Sequence, residues 1–296
     1  MQKIVPNLWF DHSAASAAAF YCSVLPDASV TVTQHYPTEG LADFQQDFAG
    51  DVLYVEFEVG GYAFGAINAG PEFTVNPSIS FMLNFDPSRD DAARDNLDRI
   101  WEGLSDGGEV LMPLDEYPFS RRYGWVQDKF GVSWQLILTD PEGDPRPLIV
   151  PSLLFGGAAQ NRAAEALDRY LSVFPGSRVG TRAEYQEQVG PAGPGTVQFA
   201  DVELLGQWFA VMDSGVEQDF TFNPGVSLEI RCDDQAEIDR YWAALSEVPE
   251  AEACGWCADR FGVNWQVTPS NMSELMERPG AFQKMMGMKK LEIAAF

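Results

Sequence analysis

Four blocks of this sequence occur twice in the same order, so the chain must fold as two diverged copies of one domain. Val5-Pro6-Asn7-Leu8-Trp9-Phe10 returns as Val150-Pro151-Ser152-Leu153-Leu154-Phe155, each followed by an Ala-rich stretch that ends at Pro26 or Pro175. Phe73-Thr74-Val75-Asn76-Pro77-Ser78-Ile79-Ser80 returns at 220–227 as Phe-Thr-Phe-Asn-Pro-Gly-Val-Ser, and Trp101 with Leu104-Ser105 matches Trp242 with Leu245-Ser246. The sharpest block is Tyr-Gly-Trp-Val-Gln-Asp-Lys-Phe-Gly-Val-Ser-Trp-Gln at 123–135 against Cys-Gly-Trp-Cys-Ala-Asp-Arg-Phe-Gly-Val-Asn-Trp-Gln at 254–266. Residues 1–140 are copy one and 149–270 copy two, joined by a Pro/Gly/Asp-rich linker at 139–146; residues 271–296 form a helical or extended C-terminal tail.

Within each copy the hydrophobic period switches twice between that of a strand and that of a helix. Ile4–Phe10 is short, apolar and strand-like, and Ser13–Val24 has a helical pattern, with Ser13 at its N-cap and Pro26 beyond its end. Val52–Val59 alternates and runs through Gly60-Gly61, a hairpin signal, into Tyr62–Ile67. Ser78–Phe85 is a further strand, and Asp91–Leu104 a helix stopped by Gly107-Gly108. Tyr123–Gln127 and Val132–Leu138 are strands around a turn that Asp128 starts and Gly131 completes. Each copy therefore reads as strand, helix, three strands, repeated once, which is an α+β fold.

Charge and composition narrow the partners. Forty-four acidic residues against nineteen basic give a formal charge of −25, which repels phosphate backbones and anionic leaflets, so neither nucleic acid nor a membrane is an expected partner. No stretch reaches the 18–20 apolar residues of a membrane span, and Met1-Gln2-Lys3 runs straight into a strand-like segment; a cytoplasmic protein is expected. Four cysteines are too few for a disulfide scaffold.

The strings Asn-Pro-x-x-Ser at 76–80 and Tyr-Gly-Trp-x-x-Asp-Lys-Phe-Gly-Val-Ser-Trp-Gln at 123–135 resemble the PhnB-like family, often labelled 3-demethylubiquinone methyltransferase-like, of the vicinal oxygen chelate (glyoxalase/bleomycin-resistance) superfamily. The tail at 285–295 is similar to the end of such proteins. The resemblance implies paired βαβββ modules whose sheets curl into open half-barrels, each around a cleft. Two fused copies then make four modules: a monomer with an internal pseudo-dimer, or a homodimer of such chains. The methyltransferase label finds no Gly-rich turn after the first strand of a parallel α/β sheet, where S-adenosylmethionine would be held.

Metal-dependent members of the superfamily place His, Glu or Gln ligands on first and last strands. By that resemblance the positions here fall near Pro6 and Pro151, near Ser78 and Gly225, and at Gln135 and Gln266. Two neutral amides and only two histidines, His12 and His35, disfavour a divalent metal, and no other cofactor is expected. The two histidines are read as exposed and structural. The ligand-binding candidates are Gln135, Gln266, Tyr123, Trp125, Ser80 and Arg122. A strand's period of two sets Gln135 and Gln266 on one face with Ser133 and Asn264, opposite Trp134 and Trp265. Either amide could serve a ligand or the sheet's own polar groups. Arg121-Arg122 could hold an anionic group or pair with Asp115 or Glu116. Cys254-Gly-Trp-Cys257 lies on a strand where positions three apart face opposite ways, which disfavours a disulfide or shared ligation.

The copies differ in length. Ser80 to Trp125 spans 45 positions, and Ser227 to Trp256 spans 29. The missing residues correspond to the approach to the second helix and to Glu109–Ser120, expected to be a strand and a loop over a cleft mouth. A truncated second module would leave any complete pocket to copy one. Three functions remain: a metal-independent small-molecule-binding protein of unknown ligand, an enzyme on a small oxygenated or phosphonate-related substrate, or a structural or regulatory protein without a ligand.

Overall fold

The computed structural model describes residues 2–296. Its four modules follow the repeat. The first is β1 (Ile4–Phe10), α1 (Ala14–Val24), β2 (Ala28–His35), β3 (Val52–Val59) and β4 (Tyr62–Asn68). The second is β5 (Ile79–Phe85), α2 (Ala93–Ser105), β6 (Glu109–Tyr117), β7 (Ser120–Gln127) and β8 (Ser133–Leu138). The third is β9 (Ile149–Phe155), α3 (Ala163–Val173), β10 (Arg178–Glu184), β11 (Val197–Leu204) and β12 (Gln207–Asp213). The fourth is β13 (Val226–Cys232), α4 (Gln235–Leu245), β14 (Trp256–Ala258) and β15 (Asn264–Pro269), one strand short as its length required. The tail carries α5 (Met272–Met276) and α6 (Ala281–Met286). No helix is long and apolar enough to cross a membrane.

Local chemistry sets the module geometry. Gly60 and Gly61 both have positive φ, 56° and 79°, which turns β3 tightly into β4. Ser13 occupies the N-cap position of α1 but its side chain makes no cap bond. The acceptor comes instead from the module's last strand: Ala14 N–H donates to Asn68 Oδ1 at 2.9 Å, and in copy two Ala163 N–H donates to Asp213 Oδ1 at 3.1 Å. The starts of α1 and α3 are thus tied to the strands that close their modules, whereas α4 is capped by its own Asp234, which accepts from Glu237 N–H.

Aromatic clusters and sheets divide the chain differently. Within one continuous apolar core each copy gathers its own aromatic cluster between its two modules: Tyr21, Phe57, Phe64, Phe81 and Trp134 pack together in copy one, with Phe64 to Phe81 at 4.9 Å and Phe81 to Trp134 at 5.3 Å. Tyr170, Phe174, Phe261 and Trp265 do the same in copy two. The sheets run across the copies. The eight-stranded sheet has the order β10-β11-β12-β9-β5-β8-β7-β6, and the seven-stranded sheet β14-β15-β13-β1-β4-β3-β2. Modules two and three meet through the antiparallel pair β5–β9, modules one and four through β1–β13. The expectation that a complete pocket belongs to copy one is therefore corrected: each curled sheet takes one module from each copy.

The tail compensates for the strand missing from module four. Cys254 and Gly255 N–H donate to Met288 and Lys289 C=O at 2.8 and 2.7 Å. On the opposite edge Gln34 of β2 reaches Ser273, and Phe282 packs with Tyr36, Leu41 and Phe48 of the loop after β2. The tail thus spans the seven-stranded sheet from edge to edge and roofs its cup.

Candidate ligand-binding cups

Alternation along the strands sends Trp134 and Leu136 to the helix-side core and leaves Ser133, Gln135 and Ile137 on the concave face of the eight-stranded sheet. The register sets Trp125, Gln135, Met82 and Val150 in one row across it. Four of the six candidate residues meet here. Tyr123 OH donates to Gln135 Oε1 at 2.7 Å and Gln135 Nε2 donates to Ser80 Oγ at 2.8 Å, so the amide is oriented from both ends. Trp125 Nε1 donates to Ser133 Oγ at 2.6 Å. Burial pushes the Tyr123 phenol well above its ordinary value, which keeps it a donor. Ser152, opposite Ser80 on β9, is fully buried and its hydroxyl has no hydrogen-bond partner.

The floor of this cup is apolar. Met82, Val150 and Ala210 form a buried cluster with half-buried Ile137, Phe199 and Trp208 around it. Arg146 of the linker stacks over Trp208 at 4.0 Å and bonds Asp201 at 2.7 Å. A cleft of about 520 Å³ lined by Arg146, Arg178, Thr181 and Trp208 opens at this rim.

The seven-stranded cup keeps the amide and changes nearly everything else. Gln266 Nε2 donates to Ser227 Oγ at 2.9 Å, the same bond as Gln135 to Ser80, but the position of Tyr123 is taken by Cys254. Repeat positions Met82, Ile137, Ser152, Ala210 and Phe199 become Glu229, Thr268, Asn7, Gly65 and Tyr54. One cup is apolar and its twin polar.

Several candidate positions stand elsewhere. Arg122 is on the other face of β7, where its Nε donates to Asp98 Oδ1 of α2 at 2.8 Å; its partner is neither Asp115 nor Glu116. Pro6 shares the helix-side face of β1 with Ile4 and Leu8, while Ser78 and Gly225 precede β5 and β13. The concave first-strand positions are Asn7, Ser152, Ser80 and Ser227, with Glu229 one step further. His12 and His35 are exposed. Cys254 Sγ lies 3.7 Å from Met286 Sδ, and Cys254 and Cys257 are both free thiols. Glu229, Arg231 and Glu56 were missed by sequence reasoning; the available signal was that Glu229 and Arg231 of one short strand replace Met82 and Asn84 of its repeat partner.

A superfamily metal does not fit these donors. Among the described residues no three His, Cys, Asp or Glu side chains gather in a metal-holding group. The apolar cup offers an amide, hydroxyls and a phenol, and in the polar cup both oxygens of Glu229 are engaged, by Thr268 at 2.7 Å and by Arg231 at 3.2 Å.

The family model described as 3-demethylubiquinone-9 3-methyltransferase matches residues 2–137 and again 147–268. No curated protein matches the chain. Among solved structures, a putative 3-demethylubiquinone-9 3-methyltransferase, PhnB protein, from Bacillus cereus is 31% identical over 47% of this chain and 100% of its own, with a TM-score of 0.40. A protein from Pseudomonas aeruginosa is 23% identical over 47% of this chain and 98% of its own, with a TM-score of 0.39. Glyoxalase I from Zea mays is 13% identical, covers 98% of this chain and 95% of its own, and has a TM-score of 0.50, a likeness of fold across both copies. With two ordered matches to one family model and a fold of four repeated modules, the last one strand short, the chain belongs to the PhnB-like, 3-demethylubiquinone-9 3-methyltransferase-like family, as a tandem duplicate.

Proposed function

We propose that this protein binds a small, largely apolar molecule in the eight-stranded cup without a metal ion or other cofactor, acting as a single chain whose fused copies supply the pairing of modules. The observation that carries this reading is the contiguous apolar floor of Met82, Val150, Ala210, Ile137, Phe199 and Trp208 beside one oriented amide. Such a site, mostly apolar with a few fixed polar groups, suits capture of a compact organic ligand. Gln135 and the unpartnered Ser152 hydroxyl offer it polar contacts. Methyl transfer is not proposed, because among the described residues no helix alone links two neighbouring parallel strands of either sheet, the unit that would hold S-adenosylmethionine.

The probe N-phenyl-1-naphthylamine tests this. Covering roughly 200 Å² of apolar surface is worth about 5 kcal/mol before the losses of association, which sets about 0.2 mM as the tightest Kd expected. Saturable, EDTA-insensitive fluorescence enhancement at one probe per chain is expected. Ile137→Thr with Phe199→Tyr, which copies the polar cup, weakens it about tenfold, while Gln266→Ala leaves it unchanged. Equal binding in all three proteins sinks the assignment.

A further inference from the structure

In the polar cup a single side chain reaches across the sheet between two carboxylates. Arg231 of β13 bonds Glu56 of β3 through Nη2, and its Nε donates to Glu229 Oε2 at 3.2 Å. Between those strands lie β1 and β4, so the guanidinium spans the curl of the sheet. Thr268 Oγ1 donates to Glu229 Oε1 at 2.7 Å, and Asn7 Nδ2 lies 3.4 Å from Oε2. The backbone makes room for this assembly. A Cβ on Gly65 would fall 1.9 Å from Asn7 Oδ1 and 2.6 Å from the Tyr54 hydroxyl, where the twin cup carries Ala210.

The groups gathered about Arg231 and its partners are mostly oxygen donors: two carboxylates, the Thr268 hydroxyl bonded to Glu229 and the Tyr54 phenol, while Asn7 turns its Nδ2 toward Glu229. That is the ligand chemistry of a hard divalent cation. At its centre stands a protein cation. Burial works against the charge on Arg231, but Glu229, foremost among its neighbours, with Tyr54 and Glu56 more than offsets that and holds the guanidinium protonated. The twin cup keeps a carboxylate at the Glu56 position, Asp201, paired with Arg146 of the linker, but lacks the rest: Met82 and Asn84 stand where Glu229 and Arg231 do.

We propose that Arg231 is a resident cation that takes the place of a divalent metal between Glu56 and Glu229, and that its removal uncovers an oxygen-ligand site for Mn²⁺. This rests on the metal-independent reading above, yet the two fail separately, because the naphthylamine probe reports on the other cup. The test follows Mn²⁺ by the loss of its free-ion electron paramagnetic resonance signal, together with thermal melts, in the whole chain. The wild-type protein is expected to take up no stoichiometric Mn²⁺. Arg231→Met, left with the buried Glu229 and the partly buried Glu56 repelling each other, is expected to melt several degrees lower without metal, to bind about one Mn²⁺ per chain and to recover its melting temperature on binding. Arg231→Met with Glu56→Gln is expected to lose that uptake. Three results overturn the proposal: stoichiometric Mn²⁺ on the wild type, no Mn²⁺-dependent gain in Arg231→Met whether it stays folded without metal or unfolded with it, and uptake that survives Glu56→Gln.

Discussion

At the scale of the residue, buried carboxylates hold the turns that the repeat advertises. Asp259 Oδ1 accepts from the backbone N–H groups of Phe261 and Val263, and Oδ2 accepts from the Tyr170 hydroxyl at 2.8 Å and the Trp265 indole at 3.0 Å. Asp259→Asn keeps the first acceptor and turns the second into a donor facing two donors. The expected loss is about 2 kcal/mol of stability, measured by urea unfolding. Burial pushes this carboxyl up, with its four donors pulling the other way. Because the folded value lies above the unfolded value of about 3.9, the native state binds the proton more readily; that stabilisation is full below the unfolded value and is lost as pH rises through the folded one. Asparagine does not titrate, so the gap between wild type and variant is expected to be wider at about pH 4 than at about pH 7. A gap that narrows toward acid contradicts the assignment. The role of Asp128 in starting its turn was legible in the sequence, because Asx turns are local. The bond from Tyr170, 89 residues before Asp259, was not, since it depends on how α3 packs on module four.

At the scale of the element, periodicity placed most strands and both helices of copy one within a residue or two, because each element buries one face and the burial imposes its period. That Gln135 and Gln266 lie opposite Trp134 and Trp265 followed from the same rule; that their face is the concave one did not. Nor did the chemistry of the polar cup, because Glu229 and Arg231 share one short strand while Glu56, the carboxylate that completes the bridge, lies 175 residues from Arg231 in sequence. The tail was legible only as helical or extended; its task of roofing the seven-stranded cup follows from the strand that module four lacks. Leu275, Phe282, Leu291 and Phe296 of the tail are buried, and each such side chain contributes about 1.5–3 kcal/mol, so together they rival the net stability of a domain. Truncation after Ser270 is expected to lower the melting temperature by about 10 °C or more in calorimetry, or to leave the chain aggregated. A truncated chain that melts with the wild type would show the tail to be an appendage.

At the scale of the whole molecule, duplication has let two equivalent cups diverge. Each copy keeps its own aromatic cluster while every sheet is shared, so neither copy alone contains a cup. The boundaries of the copies were plain in the sequence because the blocks repeat in order. The exchange of modules was not, since alternation says which face a residue takes and is silent about which strand lies beside it. The outcome is one cup with an apolar floor and an oriented amide, and one whose interior is spanned by an arginine between two glutamates. The most direct test of metal-independent binding in this molecule is native mass spectrometry of the freshly purified chain with and without N-phenyl-1-naphthylamine, paired with elemental analysis. The account predicts a metal-free 32.7 kDa chain that takes up one probe molecule. A metal present at about one per chain, with probe uptake that depends on it, would contradict it.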